Sequence, residues 1–99
     1  MNKFRMKLTA ADTVLLIVDV QERLARVMEK RDQVVSNLQV LVRLARVLGF
    51  PVVLTQQYTK GLGATVEPLA SELAEIEPFE KLHFSCCGEP GFNRALSSL

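Results

Sequence analysis

The hydrophobic residues of this chain form short continuous runs separated by one long periodic stretch. The first run covers residues 13–20, is rich in β-branched side chains, and contains a single charged residue, Asp19. A second run, residues 51–55, begins at a proline. Continuous apolar runs of this length are typical of parallel strands that helices cover on both faces. We therefore predict a central first strand over residues 13–20 and a second strand over residues 51–55.

Between the two runs the pattern takes on a helical period. Residues 21–30 have a helical composition, and Asp32 is suited to cap the start of a longer helix. Gly49 supplies its stop signal. An apolar stripe in steps of three and four residues is expected to face the core, and it consists of Val34, Leu38, Leu41, Ala45 and Leu48. Strand, helix and strand make a βαβ unit, whose crossover should be right-handed.

The second half of the chain has a looser pattern. Pro68 is expected to open a short helix, residues 79–85 read as a short strand or an extended loop, and a last helix follows Gly91. The fold class is therefore α/β, a three-layer α/β/α arrangement with a mostly parallel, Rossmann-like sheet. We expect this pattern to stop after the third βα segment, so that the first strand keeps an unpaired second edge.

Composition and charge narrow the function classes. The chain is 48% hydrophobic and 23% charged, with a net charge of +1 and no block of like charges. These values give no indication of a nucleic-acid partner or of an anionic membrane surface. No apolar stretch is long enough to span a bilayer, and residues 1–7 lack the apolar core of a signal peptide. We expect a cytoplasmic protein.

Asp19 is the first candidate for a functional residue. A carboxylate at the end of a buried strand is costly unless it is paired or hydrogen-bonded. The carboxyl ends of parallel strands are also where ligands bind in open α/β sheets. The residues alone leave a second interpretation open, in which Asp19 caps a neighbouring turn or helix.

The cysteines and the histidine give weaker signals. Cys86 and Cys87 are adjacent, which favours two free thiols over a disulfide. His83 would add a third metal ligand, but no second cluster closes the coordination, so neither a metal nor a cofactor is expected. A pair between Ser85 and His83 lacks a third residue to orient the imidazole.

Three segments of the chain, in the same order as in the family, resemble the isochorismatase-like cysteine hydrolases. Residues 13–21 end in an Asp-x-Gln motif, residues 49–58 end in Thr-x-Gln-Tyr, and residues 79–86 contain Lys-x-x-Phe-Ser. Together they span nearly the whole chain, and they are most similar to the small single-domain branch of the family. The resemblance implies a catalytic triad of aspartate, lysine and cysteine, of which Asp19 and Lys81 match the first two.

The third member of the triad has no match in this chain. In the family, the nucleophilic cysteine follows the next strand, whereas Cys86 and Cys87 come directly behind the lysine. The resemblance therefore implies that residues 1–99 are the N-terminal, incomplete portion of a hydrolase domain. Whether the chain is itself an enzyme stays open at this point.

The resemblance also assigns roles to the candidate residues. Asp19 would serve as general base and later as acid, while Lys81 would keep Asp19 ionised and add electrostatic stabilisation. Without the resemblance, Lys81 would be read as a surface lysine. Candidate substrate-binding residues are Gln21, Gln56 and Tyr58, with Thr55 beside them. Gln21 is better explained as a cap of the following helix, and the others are equally well explained as ordinary polar loop residues.

Two functions follow from these observations. The first is hydrolysis of a small-molecule amide or related C–N bond through a thioester intermediate. The alternative is a non-catalytic half-domain that self-associates through its open sheet edge. In both cases a homo-oligomer is expected, because an unpaired edge and uncovered helix faces leave apolar surface to bury.

Overall fold

A three-stranded parallel sheet lies at the centre of the protein, with strand order β1-β2-β3. The structure, a computed structural model, describes residues 7–99; residues 1–6, which entered the signal-peptide argument, lie outside this range. Strand β1 is Leu15–Val18, β2 is Val52–Gln57 and β3 is Phe79–Lys81. The register places Val18 opposite Thr55. The predicted α/β class with a parallel sheet is confirmed.

Helices lie on both faces of this sheet. Their bounds are α1 Glu22–Ala25, α2 Arg31–Leu48, α3 Thr59–Leu62, α4 Leu69–Glu72 and α5 Pro90–Ser97, with short 3-10 helices at Ala10–Asp12 and Cys86–Gly88. Residues of α1, α2 and α4 share one hydrophobic core with β1 and β2. On the other face, Phe92 of α5 packs edge-to-face on Phe79 of β3, with ring centroids 6.1 Å apart. Within residues 7–99 there is no helix whose length and apolar character would let it cross a bilayer.

The predicted end of the long helix is confirmed, but its predicted start is wrong. Gly49 ends α2 as predicted, since it adopts a left-handed backbone with φ of 78° and its N–H donates to the carbonyl of Ala45 at 2.8 Å. The prediction that Asp32 caps the start of α2 is wrong. Lys30 holds the cap position, and Asp32 lies in the first turn, where it pairs with Arg31. Pro68 directly precedes α4, as expected.

The buried face of α2 is offset from the predicted stripe. The residues that turn inward are Val35, Val42 and Ala45, with Leu38 partly buried, whereas Val34, Leu41 and Leu48 are exposed. Neighbouring positions such as Val34 and Val35 are both apolar, so the helix carries two adjacent apolar stripes. Packing against Ile17 and Leu54 of the sheet selects the second stripe, which periodicity alone does not distinguish.

Strand β1 lies at the edge of the sheet formed by residues 7–99, so the prediction of a central strand covered on both faces does not hold for these residues. Ile17 is buried, but Leu16 and Val18 are 39% and 45% exposed. The register places both on the same face as Val53 and Thr55. Helix α5 packs on this face near β3 and leaves the part formed by β1 open. The second edge of β1 is unpaired within the described residues, as the sequence predicts.

Candidate active site

The structure brings Asp19 and Lys81 together at the carboxyl ends of the strands. Asp19 directly follows β1 and Lys81 is the last residue of β3. The Nζ atom of Lys81 lies 2.8 Å from Oδ2 of Asp19, and the side chains are only 1% and 15% exposed, respectively. The two residues that match the family's triad thus form a buried ion pair. Their catalytic roles stay a prediction.

The ammonium group of Lys81 has an acceptor for each of its three N–H groups. Besides Asp19, it donates to the carbonyl of Phe84 at 2.6 Å and to that of His83 at 3.1 Å. Both carbonyls belong to the loop that follows β3, which folds back over its own lysine. A buried charge is tolerated when it is paired and fully hydrogen-bonded. The arrangement leaves no N–H of Lys81 free to donate to a bound ligand.

Asp19 is held in an uncommon backbone conformation. Its φ of 56° lies in the left-handed region, which aspartate and asparagine enter more readily than most residues. The Asp19 N–H donates to the carbonyl of Thr55 at 3.2 Å, and the Asp19 carbonyl accepts from the N–H of Gln21 at 3.0 Å. The chain therefore leaves the strand direction at this residue. Among the described residues the Asp19 carboxylate bonds to Lys81 and Thr55. It therefore does not cap a neighbouring turn or helix.

The sequence placed Thr55 beside the candidate substrate-binding residues but did not indicate its contact with Asp19. Thr55 lies within β2 rather than in the loop after it, and it is fully buried. Its hydroxyl donates to Oδ1 of Asp19 at 2.9 Å, while Lys81 binds Oδ2. Each carboxylate oxygen thus has its own donor. The contact follows from the strand register, which places Thr55 opposite Val18, the last residue of β1. The sequence does not give this register.

Gln21 occupies a structural position between two segments. Its side chain is fully buried, and its amide nitrogen donates to the carbonyls of Gln57 at 2.9 Å and Gly63 at 2.7 Å. Its Oε1 atom accepts from the Gln57 N–H at 2.7 Å. Gln21 holds the N-cap position of α1, as the capping interpretation predicts, but its side chain makes no capping bond there. Contact of Gln21 with a substrate stays a prediction, and it would require one of these bonds to be exchanged.

The other two predicted substrate-binding residues differ in exposure. Gln56 is buried and bonds to the hydroxyl of Thr59 at 3.0 Å and to the N–H of Thr65 at 3.1 Å. Tyr58 is half-exposed, and its backbone N–H donates to the carbonyl of Lys81 at 3.0 Å. Its ring packs against Gly61 so closely that an added Cβ would collide with the ring. Tyr58 is therefore the one of the three whose side chain is exposed to solvent.

Glu89 fastens the loop that holds Lys81. Its Oε1 atom lies 2.9 Å from Nδ1 of His83 and accepts from the N–H of Leu82 at 3.1 Å. The hydrogen bond to His83, followed by that to the Leu82 N–H, lowers the pKa of Glu89 below the usual carboxyl range. Ser85 instead accepts from the Cys87 N–H at 3.2 Å, so His83 pairs with Glu89 rather than with Ser85.

Cys86 and Cys87 follow Lys81 closely in the sequence, but their thiols make no hydrogen bond to the ion pair. Cys86 is half-buried and Cys87 is exposed, and both are free. Among residues 7–99, no group of three or more histidine, cysteine, aspartate or glutamate side chains has an arrangement that could hold a metal ion.

An apolar cavity of about 230 Å³ adjoins Asp19 on the side of α1 and α2. Arg31 is the basic residue that lines it. The rest of the lining is apolar and consists of Val18, Val20, Ala25, Met28, Val34 and Val35. Small-molecule sites have this character, an apolar hollow with few polar groups.

Comparison with known proteins gives one consistent result. A family model described as Isochorismatase domain matches residues 13–99. The isochorismatase domain-containing protein 2 of Danio rerio is 39% identical over 83 residues, which cover 84% of this chain and 41% of that protein. For isochorismatase family protein 1B of Dictyostelium discoideum, the identity is 34% over 84 residues, covering 82% and 41%.

A solved structure agrees with these sequence matches. It is described as the MAR1 ribonuclease from Caenorhabditis elegans, and it aligns with a TM-score of 0.82 at 30% identity. The alignment covers 95% of this chain and 49% of that one. The chain thus spans about two fifths of the length of the curated relatives named above and about half of the solved structure.

Proposed function

This chain belongs to the isochorismatase family, and we propose that it supplies the aspartate and lysine of a cysteine-hydrolase active site. The reaction is hydrolysis of an amide or related C–N bond in a small molecule. The observation that supports this proposal is the buried Asp19–Lys81 pair, 2.8 Å apart at the carboxyl ends of parallel strands. Ligands bind at this end of the sheet in open α/β folds.

In the proposed reaction Asp19 acts as the general base. A free thiol has a pKa of about 8.5 and is mostly protonated at neutral pH, so a nearby carboxylate is needed to accept its proton. The thiolate attacks the amide carbon, and Asp19 returns the proton to the leaving nitrogen, which leaves a thioester for water to hydrolyse. By the resemblance, Cys86 and Cys87 do not match the family nucleophile, so the reaction needs a thiol from another segment or chain.

Lys81 acts through Asp19 in this proposal. Since its three N–H groups already have acceptors, its role is to keep Asp19 ionised and to hold the loop after β3 in place. Stabilisation of the oxyanion would then come from other donors, such as backbone N–H groups. This assignment is narrower than the role implied by the family resemblance alone.

The proposed substrate is a small molecule rather than RNA. The relative from C. elegans is described as a ribonuclease, but nucleic-acid binding relies on clustered basic side chains. The present chain has a net charge of +1, and on α2 the guanidinium groups of Arg43 and Arg46 are paired with Glu72 and Glu75. The apolar cavity beside Asp19 is suited to the apolar part of a small amide.

The proposal is tested by two substitutions, Asp19→Asn and Lys81→Ala, in the presence of the segment or chain that supplies the thiol. Ammonia release is measured from small primary amides such as acetamide and benzamide, and both variants should lose activity, Asp19→Asn by about 10²–10⁴-fold. Asp32→Asn, at an almost fully exposed carboxylate, is the matched control. Unchanged turnover in both variants would refute the proposal. Cleavage of an RNA oligonucleotide without amide turnover would refute the substrate class.

A second candidate function is self-association without catalysis. It is favoured by the open face of β1, where Leu16 and Val18 are exposed beside a strand edge that is unpaired within residues 7–99. Such an edge is a template for pairing with another strand. Sedimentation at micromolar concentration should then show a dimer or larger assembly, and Val18→Lys should shift it toward monomer. A monodisperse wild-type monomer would contradict this alternative.

A further inference from the structure

Thr55 contacts Asp19 at two points, one in the backbone and one in the side chain. Its carbonyl accepts the Asp19 N–H at 3.2 Å, and its hydroxyl donates to Oδ1 of Asp19 at 2.9 Å. The side chain is fully buried, and among the described residues its hydroxyl bonds to Asp19. The two contacts fix both the left-handed backbone of Asp19 and the orientation of its carboxylate.

The two oxygens of Asp19 are not chemically equivalent. Oδ2 lies 2.8 Å from the ammonium of Lys81, whose three N–H groups all donate, so a proton placed on Oδ2 would disrupt the ion pair. Oδ1 faces a hydroxyl, which is able to donate or to accept. A proton on Oδ1 would replace the charge-assisted bond from Thr55 with a neutral one, in which the Thr55 hydroxyl accepts instead of donating.

From this geometry we propose that Thr55 is the positioning residue of the site. Its hydroxyl sets the plane of the Asp19 carboxylate, so that Oδ2 faces Lys81. Oδ1 is then the oxygen that exchanges the proton. The inference rests on the proposed hydrolase function. In the first step the S–H bond breaks, an O–H bond forms on Oδ1, and the sulfur keeps the electron pair. In the second step the same proton passes from Oδ1 to the leaving nitrogen.

The test compares Thr55→Val with Thr55→Ser. Valine has nearly the same shape as threonine but no hydroxyl, whereas serine keeps the hydroxyl and loses the methyl group. A role in packing alone predicts that valine is the better replacement; a positioning role predicts that serine is. Amide turnover should fall about 10²-fold in Thr55→Val, as expected for a misplaced catalytic group, and Thr55→Ser should retain most of it.

A second readout does not depend on turnover. The chain has three aspartates, so carbon-13 labelling of aspartate gives three carboxyl NMR signals, and Asp19→Asn identifies the signal of Asp19. We expect Thr55→Val to shift this signal and Thr55→Ser to leave it near its wild-type position. Thr65→Val is the matched control, because Thr65 is also buried but its hydroxyl donates to Gln56.

The outcomes separate the two proposals. A shifted Asp19 signal in Thr55→Val would support positioning by Thr55, and absence of amide turnover by the wild type together with the segment or chain that supplies the thiol would refute the hydrolase function. Superimposable Asp19 signals in the wild type and Thr55→Val would overturn the positioning role. If Thr55→Val does not fold, the NMR signal of the Thr55 hydroxyl proton in the wild type serves as the readout. A slowly exchanging signal that Asp19→Ala removes supports the inference, and the absence of that signal overturns it.

Discussion

Substitution of Asp19 by asparagine should destabilise the fold more than substitution of Lys81 by methionine. Asparagine keeps the size of the side chain and tolerates the left-handed backbone, so Asp19→Asn removes mainly the negative charge. It leaves the Lys81 ammonium, which is 1% exposed, without a counter-charge. Lys81→Met removes the buried cation itself and leaves Asp19, which is 15% exposed and still bonded to Thr55.

The expected magnitudes follow from the burial of each charge. Removing one partner of a buried ion pair costs about 3–5 kcal/mol, and we expect the lower part of this range for Asp19→Asn because the amide oxygen remains an acceptor. Lys81→Met leaves the carbonyls of His83 and Phe84 without their donor. Because both residues are exposed, water can replace the donor, so the cost should not exceed about 1–3 kcal/mol. Because a domain of this size is stable by only about 5–15 kcal/mol, either loss is readily measured.

Urea unfolding, followed by circular dichroism, gives the free energy of unfolding for the wild type, both single variants and the double variant. The double variant should be about as stable as Lys81→Met alone, because loss of the Asp19 charge is harmless once the ammonium is gone. The reasoning is refuted if Asp19→Asn costs no more than the roughly 1 kcal/mol of an exposed ion pair. It is also refuted if Lys81→Met is the more destabilising of the two.

Three further predictions concern the surroundings of the site. Because the bonds to His83 and to the Leu82 N–H lower the pKa of Glu89, its contact with the Leu82 N–H should hold at neutral pH. The contact should be lost as the pH falls through that lowered pKa, and the Leu82 amide NMR shift reports the loss. Gln21→Leu should cost about 2–4 kcal/mol in urea unfolding, because backbone groups at both ends of its amide lose their partners. Gly49→Ala should cost about 1–2 kcal/mol, because its φ of 78° is unfavourable for alanine although no atom obstructs the added Cβ.

Each of these predictions has a matched control. Glu89→Gln keeps an acceptor but cannot titrate, so the Leu82 shift should become flat across the acid range; a flat shift in the wild type would contradict the assignment. Gln33→Leu, at an exposed position of α2, should be nearly neutral, and a cost equal to that of Gln21→Leu would refute the structural role of Gln21. Gly91→Ala should be tolerated within α5, where the nearest atom is 3.9 Å from the added Cβ.

The fold was largely predictable because strands and helices differ in hydrophobic period. The same reasoning placed Asp19 at the carboxyl end of a strand, but it put Lys81 inside a strand or loop over residues 79–85, whereas β3 ends at Lys81. Lys81 therefore needed the family resemblance, since a lysine in such a segment looks like a surface residue. Which apolar stripe of α2 faces the core was not predictable, because Val34 and Val35 satisfy the helical period equally well.

The Asp-x-Gln motif shows what local pattern leaves out. In a regular strand, residues 19 and 21 would point to the same face. The left-handed backbone of Asp19 breaks this alternation, so that Asp19 bonds to Lys81 while Gln21 bonds to Gln57 and Gly63. Between them, Val20 packs against the core and its carbonyl accepts from the Val66 N–H. The three consecutive residues therefore join the end of β1 to β3, to the core and to the end of β2, through contacts set by tertiary register rather than by sequence spacing.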